Sequence, residues 1–216
     1  MTKGLPSRSA LAPAFWMDTP PRLRVVRPAG ARPDDAELVD RIRQGNRSAE
    51  EAVYRAYAPY VLSLTTRLLG RRSDAEDAVQ DTFILAFENV SRLRDPGALR
   101  PWIMQIAVSQ VRRRFRKRRL LKALGLAVGA DDATLESLVA PGAGQDVTSD
   151  LAALDRVLGG LPAPQRIAWM LRYVEGEELQ AVADACGCSL ATVKRRIAAA
   201  DAQVHGELRV AEMEGA

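Results

Sequence analysis

Residues 179–198 read LQAVADACGCSLATVKRRIA, and three of them stand at telling places. Ala183, Gly187 and Val193 occupy positions 5, 9 and 15 of this twenty-residue frame. Two short helices crossing at a tight turn need a small residue at the crossing and a glycine in the turn. They also need an aliphatic side chain in the angle between them. Val182, Cys186, Cys188 and Ile197 add apolar groups at core-facing places, and Ser189 is placed to cap the second helix. The stretch predicts a helix-turn-helix, with helices over 177–186 and 189–203. Its second helix presents Ser189, Ala191, Thr192, Lys194, Arg195 and Arg196 near its start, where a recognition helix meets the major groove. The same pattern also serves purely structural helix pairs. Beyond Arg196 the outward residues read as Ala198, Ala199 and Asp201, so phosphate contact rests on few charges.

The residues before this frame are also helical. Leu151, Leu154 and Leu158 form a stripe that Gly159-Gly160 ends. Pro164 opens a following helix with Ile167, Met170, Leu171 and Val174 inward.

The first half of the chain is helical as well. Leu38, Val39 and Ile42 share a face of a short helix ended at Gly45-Asn46. Ser48 with Glu51 reads as a capping box opening a helix with Val53, Tyr57, Val61, Leu64 and Leu68 inward, bent at Pro59 and closed by Gly70. Ser73 with Glu76 reads as a second box. Its helix buries Ala75, Val79, Phe83 and Ala86 and turns Asp74, Asp77, Gln80 and Asp81 outward. Asp95-Pro96-Gly97 is a turn. A fourth helix runs from near Leu99 with Trp102, Ile103, Ile106, Ala107 and Val111 inward, and ends in the basic run RRRFRKRR at 112–119. It also shows Gln105, Ser109 and Gln110. Arginines beside amides and an aromatic ring suit melted DNA, which asks for stacking surface, base-edge hydrogen bonds and a positive track. A charge run can equally be a solvated face, and Trp102 suits core packing as well as base contact.

No strand-like alternation interrupts these segments. The fold class is therefore all-α, with two small helical domains joined by a flexible linker. The divisions are a basic, proline-rich tail over 1–33, a four-helix domain over 34–119 and a linker over 120–150 with a helical stub near 120–126. A second helical domain covers 151–209, and a C-terminal tail 210–216. Charge is uneven along this plan. The tail carries six basic residues against one acidic, and residues 34–119 carry 17 against 12. The linker has one against five and the remainder seven against nine. Such asymmetry suits a polyanion partner. It also predicts that the basic helix draws the acidic linker and second domain toward it in the free protein.

Several classes of function find no support. The chain has two cysteines, Cys186 and Cys188, and one histidine, His205. These assemble no tetrahedral metal set and read as small buried thiols of a reducing cytoplasm. No apolar run approaches a membrane span, and residues 11–17 are too short and too lightly apolar for a signal peptide. A phosphate-binding glycine loop and a nucleophile elbow are both lacking, so no catalytic residue is assigned.

Four segments carry a resemblance. DAELVDRIRQGNRSAEEAVYRAYAPYV, DAEDAVQDTFILAFENV and RPWIMQIAVSQVRRRFRKRR resemble conserved region 2 of extracytoplasmic-function RNA polymerase sigma factors. LPAPQRIAWMLRYVEGEELQAVADACGCSLATVKRRI resembles their region 4. The resemblance covers about residues 35–119 and 151–208. It implies a protein that binds core RNA polymerase and directs promoter recognition, melting and initiation. The implied partners are the β′ clamp helices and β flap of polymerase, promoter DNA and an anti-sigma factor, with no cofactor and no membrane insertion.

Residue roles follow from the same resemblance. Asp74, Glu76, Asp77, Gln80 and Asp81 correspond to the surface that docks on the clamp helices. Arg94, Arg100, Trp102, Gln105, Ser109, Gln110, Arg112, Arg113 and Arg116 correspond to the elements that hold the melted strand, where a flipped base is captured. Ser109 stands where the family usually has Asn. Lys194 and Arg195 correspond to contacts with the upstream, minus-thirty-five element. The linker acids correspond to a segment that mimics nucleic acid inside polymerase. Two other readings remain open. One is a helix-turn-helix regulator working without polymerase, and the other a sigma-like interaction protein that does not initiate.

Overall fold

A computed structural model describes residues 34–126 and 154–214, with side chains through 206. Among these residues all regular structure is helical. The N-terminal tail, most of the expected linker and the last two residues lie outside the described residues.

The first helix, α1 (Asp35–Arg43), buries Leu38, Val39 and Ile42 as its periodicity predicts. Helix α2 (Arg47–Leu69) does not use the expected box at Ser48. Asn46 caps it, its side chain accepting from Ala49 N at 3.2 Å. Glu51 is drawn instead to Arg55, one turn along. An Asn two residues upstream offers the same acceptor, so the helix starts earlier. Pro59 lies within α2, and Gly70 ends it with φ of 73°. Helix α3 (Arg72–Glu88) likewise lacks the expected Ser73 cap, and Glu76 pairs with Arg72 at 2.8 Å. Short 3-10 turns at Val90–Arg92 and Pro96–Ala98 lead into α4 (Leu99–Ala123), which continues past the expected end of the basic run.

The second half opens with α5 (residues 154–160), then α6 (Ala163–Trp169), which loosens into a π turn at Met170–Val174. Helix α7 (Leu179–Cys186) and helix α8 (Leu190–Glu214) complete it. The backbone of α8 runs to residue 214, through most of the expected C-terminal tail.

Packing joins the two halves. One core lies within the first, among Val39, Val53, Tyr57, Val61, Phe83 and Ile103. A second core is shared. Leu64, Leu68 and Leu69 of α2 and Met104, Val108 and Val111 of α4 pack with Leu158, Ile167, Leu171, Val182, Val193 and Ile197. Helix α4 is apolar on two sides, Ile103 and Ala107 serving its own bundle and Met104 and Val108 the other half. Area removed from water stabilises this contact at roughly 25 cal/mol per Å2. The halves therefore close through shared apolar burial, where charge attraction alone was expected.

Candidate nucleic-acid interface

The helix-turn-helix forms as the spacing demands. Gly187 takes the left-handed conformation, φ 58°, between α7 and α8. Ala183 and Val193 are fully buried at the crossing. Ser189 Oγ accepts from Thr192 N at 3.2 Å and lies 2.9 Å from Thr192 Oγ1, fixing the start of α8. Ala191, Lys194 and Arg195 are exposed there. Arg196 is not. It folds back, donating to Cys188 Sγ at 3.3 Å. Asp201, expected on the outer face, is instead a strut: it accepts from Trp169 Nε1 at 2.8 Å and Tyr173 OH at 3.1 Å. Burial and the neighbouring Asp201 carboxylate push the Tyr173 phenol up, so it stays a donor.

On α4 the basic run divides by helical face. Arg113, Arg116, Lys117 and Arg119 are exposed and make a positive track. Arg114 reaches Asp81 of α3 at 3.0 Å. Arg118 pairs with Asp74 and donates to the Leu69 carbonyl at 2.9 Å. Arg112 donates to the Cys186 carbonyl at 2.8 Å, beside the turn glycine. Gln105 is exposed and reaches the Asp184 carbonyl at 3.3 Å. Ser109 Oγ donates to its own helix at Ile106 O, 2.7 Å. Gln110, expected outward, is buried: it stands one turn on from Ala107 and one turn before Arg114, on the face of α4 turned to its own bundle. Arg100 pairs with Glu177 at 2.7 Å and lies 5.1 Å over the Tyr60 ring. Tyr60 is held well above the ordinary phenol range, mainly by burial and then by Glu175.

Trp102 is half-buried against the first core. With Arg94 and Gln105 it lines a cleft of about 540 Å3 whose opposite wall is Glu178, Gln180 and Asp184. Asp95 shapes this corner by accepting from Gly97 N at 3.0 Å.

The face expected to dock on polymerase also divides. Glu76, Asp77 and Gln80 are exposed, whereas Asp74 and Asp81 are half-buried in their ion pairs to α4. Beside the exposed set lies a groove of about 470 Å3 lined by Tyr54, Glu76, Gln80, Phe83, Ile84 and Phe87. Tyr54 and Ile84 are nearly half exposed. Sequence reasoning missed these two, though Ile84 stands one turn after Gln80 on the polar face of α3. Among the described residues no cluster of His, Cys, Asp and Glu suits a metal ion. No helix among them is long and apolar enough to cross a membrane.

Comparison with known proteins agrees with this geometry. Residues 53–120 match Sigma-70 region 2, and residues 151–200 match Sigma-70, region 4. The RNA polymerase sigma factor NccH of Alcaligenes xylosoxydans is 30% identical over 182 residues, 83% of this chain and 97% of the relative. The ferric citrate uptake sigma factor FecI of Escherichia coli is 30% identical, over 69% of this chain and 85% of its own length. Among solved structures, the sigma factor RpoE of Bartonella quintana, in complex with the anti-sigma factor NepR, matches at 25% identity and a TM-score of 0.56. It spans 74% of this chain and 96% of that one. CnrH in complex with the cytosolic domain of CnrY shares the fold at 23% identity and a TM-score of 0.55, over 82% and 97% of the two chains.

Proposed function

This chain belongs to the sigma-70 family of RNA polymerase sigma factors, in its extracytoplasmic-function branch, and from that premise we propose how its own residues divide the work. The chain is a sigma factor, a subunit that binds core RNA polymerase and promoter DNA. Its contribution is recognition, with the chemistry of RNA synthesis left to polymerase, and its place is the cytoplasm.

Glu76, Asp77 and Gln80, with the Tyr54–Ile84–Phe87 groove beside them, are the polymerase-docking face. What supports this is that they are the part of α3 left outward after Asp74 and Asp81 are taken by α4. The exposed cations Arg113, Arg116, Lys117 and Arg119 guide the single strand. Arg94, Trp102 and Gln105 form the corner that receives an unstacked base. Lys194 and Arg195 contact the upstream element in duplex form.

The observation that carries this reading is the pairing of a capped helix-turn-helix with a basic helix ending beside an acidic docking face. Sigma factor RpoE is held by the anti-sigma factor NepR in its complex. We extend that to this chain as the target of a partner of the same class. The test is co-elution with core polymerase, followed by permanganate probing of thymines on a promoter fragment. Reactive thymines that disappear with Arg113→Ala/Arg116→Ala support the assignment, and unchanged reactivity contradicts it.

A further inference from the structure

One apolar surface of the first half stays open to water. The outward stripe of α3 runs through Asp77, Gln80, Ile84 and Glu88, all of them exposed. Ile84 is 47% exposed in the middle of it, and Tyr54 of α2 is 45% exposed beside it. With Phe83 and Phe87 they line the groove of about 470 Å3. The lining is aromatic: Tyr54 meets Phe83 edge-on at 4.9 Å between ring centres, and Phe87 lies 5.9 Å from Phe83. Single exposed apolar side chains need no partner, but several gathered into one groove with a charged rim mark a contact site.

The chain carries a segment of matching chemistry. Within residues 1–33, Phe15, Trp16 and Met17 stand together and are followed by Arg22, Arg24 and Arg27. Aromatic rings and a thioether pack well against aromatic edges. The arginines complement the acidic stripe of α3. The segment also enters the fold beside the groove. Asp35, the first residue of α1, is buried and accepts from Tyr57 OH at 2.6 Å. Tyr57 stands three residues after Tyr54 on α2. Residues 18–34 span up to roughly 60 Å when extended, against about 30 Å for the width of a small domain. A tethered segment meets its site at an effective concentration on the order of millimolar, so a contact of modest affinity is populated. A second copy of the chain suits the groove less well, because its own acidic stripe would meet this one.

We propose that Phe15, Trp16 and Met17 of the chain's own N-terminal segment seat in the Tyr54–Ile84 groove, so that core polymerase binds this face in competition with them. The proposal rests on the reading of this face as the one that docks on polymerase. Both occupants then need the same apolar side chains, and the apparent affinity for polymerase falls with the fraction of chains whose groove is open.

The test uses the full chain in two measurements. In the first, the photo-crosslinker p-benzoylphenylalanine replaces Tyr54, and peptide mapping after irradiation identifies what it has captured. A cross-link to residues 11–24 within one chain is expected. Capture of a second copy, or of no residue in that segment, overturns the proposal. In the second, affinity for core polymerase is measured by fluorescence anisotropy. Phe15→Ser/Trp16→Ser, which leaves residues 34–216 unaltered, is expected to bind about fivefold more tightly as the open population rises. Ile84→Asp, checked by circular dichroism for intact helices, is expected to bind more weakly. Weak binding by Ile84→Asp with unchanged binding by Phe15→Ser/Trp16→Ser overturns the competition and leaves the docking reading standing. Unchanged binding by a folded Ile84→Asp chain overturns the docking reading together with the competition.

Discussion

Arg67 and Glu175, 108 residues apart in sequence, form an ion pair in which the two side chains are only 4% and 1% exposed. Arg166 donates to the Arg67 carbonyl at 3.3 Å beside them. The contact between the halves is thus specified by charge inside an apolar surround.

Loss of one member should be costly. Arg67→Met leaves a buried carboxylate without its cation and is expected to cost about 3–5 kcal/mol. Adding Glu175→Leu removes the second charge and should recover most of that loss. Urea unfolding of the single and double variants measures both values.

The acidic face of α3 should separate into docking and structural residues. Asp77→Lys is expected to abolish co-elution with core polymerase while changing stability by less than about 0.5 kcal/mol. Asp81→Lys removes the carboxylate that lies 3.0 Å from Arg114 and so lowers stability as well, by about 1 kcal/mol for a partly exposed pair. Thermal unfolding beside the binding assay distinguishes them.

The start of α8 should behave as a small electrostatic contact. Lys194→Ala and Arg195→Ala are each expected to weaken binding to an upstream-element duplex and to lower the salt slope by about one. Arg196→Ala should change the slope less, because its guanidinium is turned toward Cys188. Titrations at three salt concentrations give the slopes.

Alkaline pH should loosen the second half. Burial pushes the Cys186 thiol up from 9.0 to about 11. The folded state therefore disfavours the thiolate that the unfolded chain forms freely. The stability present below pH 9 is lost as pH rises toward 11, by about 2–3 kcal/mol at roughly 1.4 kcal/mol per unit. Denaturant midpoints at pH 8, 9, 10 and 11 follow this fall, and Cys186→Ala should flatten it.

Much of the fold was legible because helix periodicity is local. The stripes Leu38–Val39–Ile42 and Ala75–Val79–Phe83–Ala86 are buried as spaced. Gly187 and Val193 placed the helix-turn-helix without any partner information. Helix starts were less readable, since Asn46 outcompeted Ser48 over two residues.

The hidden part depends on long-range pairing. Arg67 stands between Leu64 and Leu68 on a buried face, a local oddity whose answer lies 108 residues away. Asp74 and Asp81 look solvated by spacing alone, yet Arg118 and Arg114 reach them from 44 and 33 residues on. Asp201 looked outward until Trp169 and Tyr173 claimed it. The π turn has no sequence period that announces it.

As a sigma factor, this chain directs polymerase to promoters. The most direct measurement mixes the purified chain with bacterial core polymerase on fragmented genomic DNA and maps the 5′ ends of the RNA made. Discrete starts sharing two upstream elements, lost with Asp77→Lys, are the result predicted. Tight binding to core polymerase with no discrete starts would contradict it.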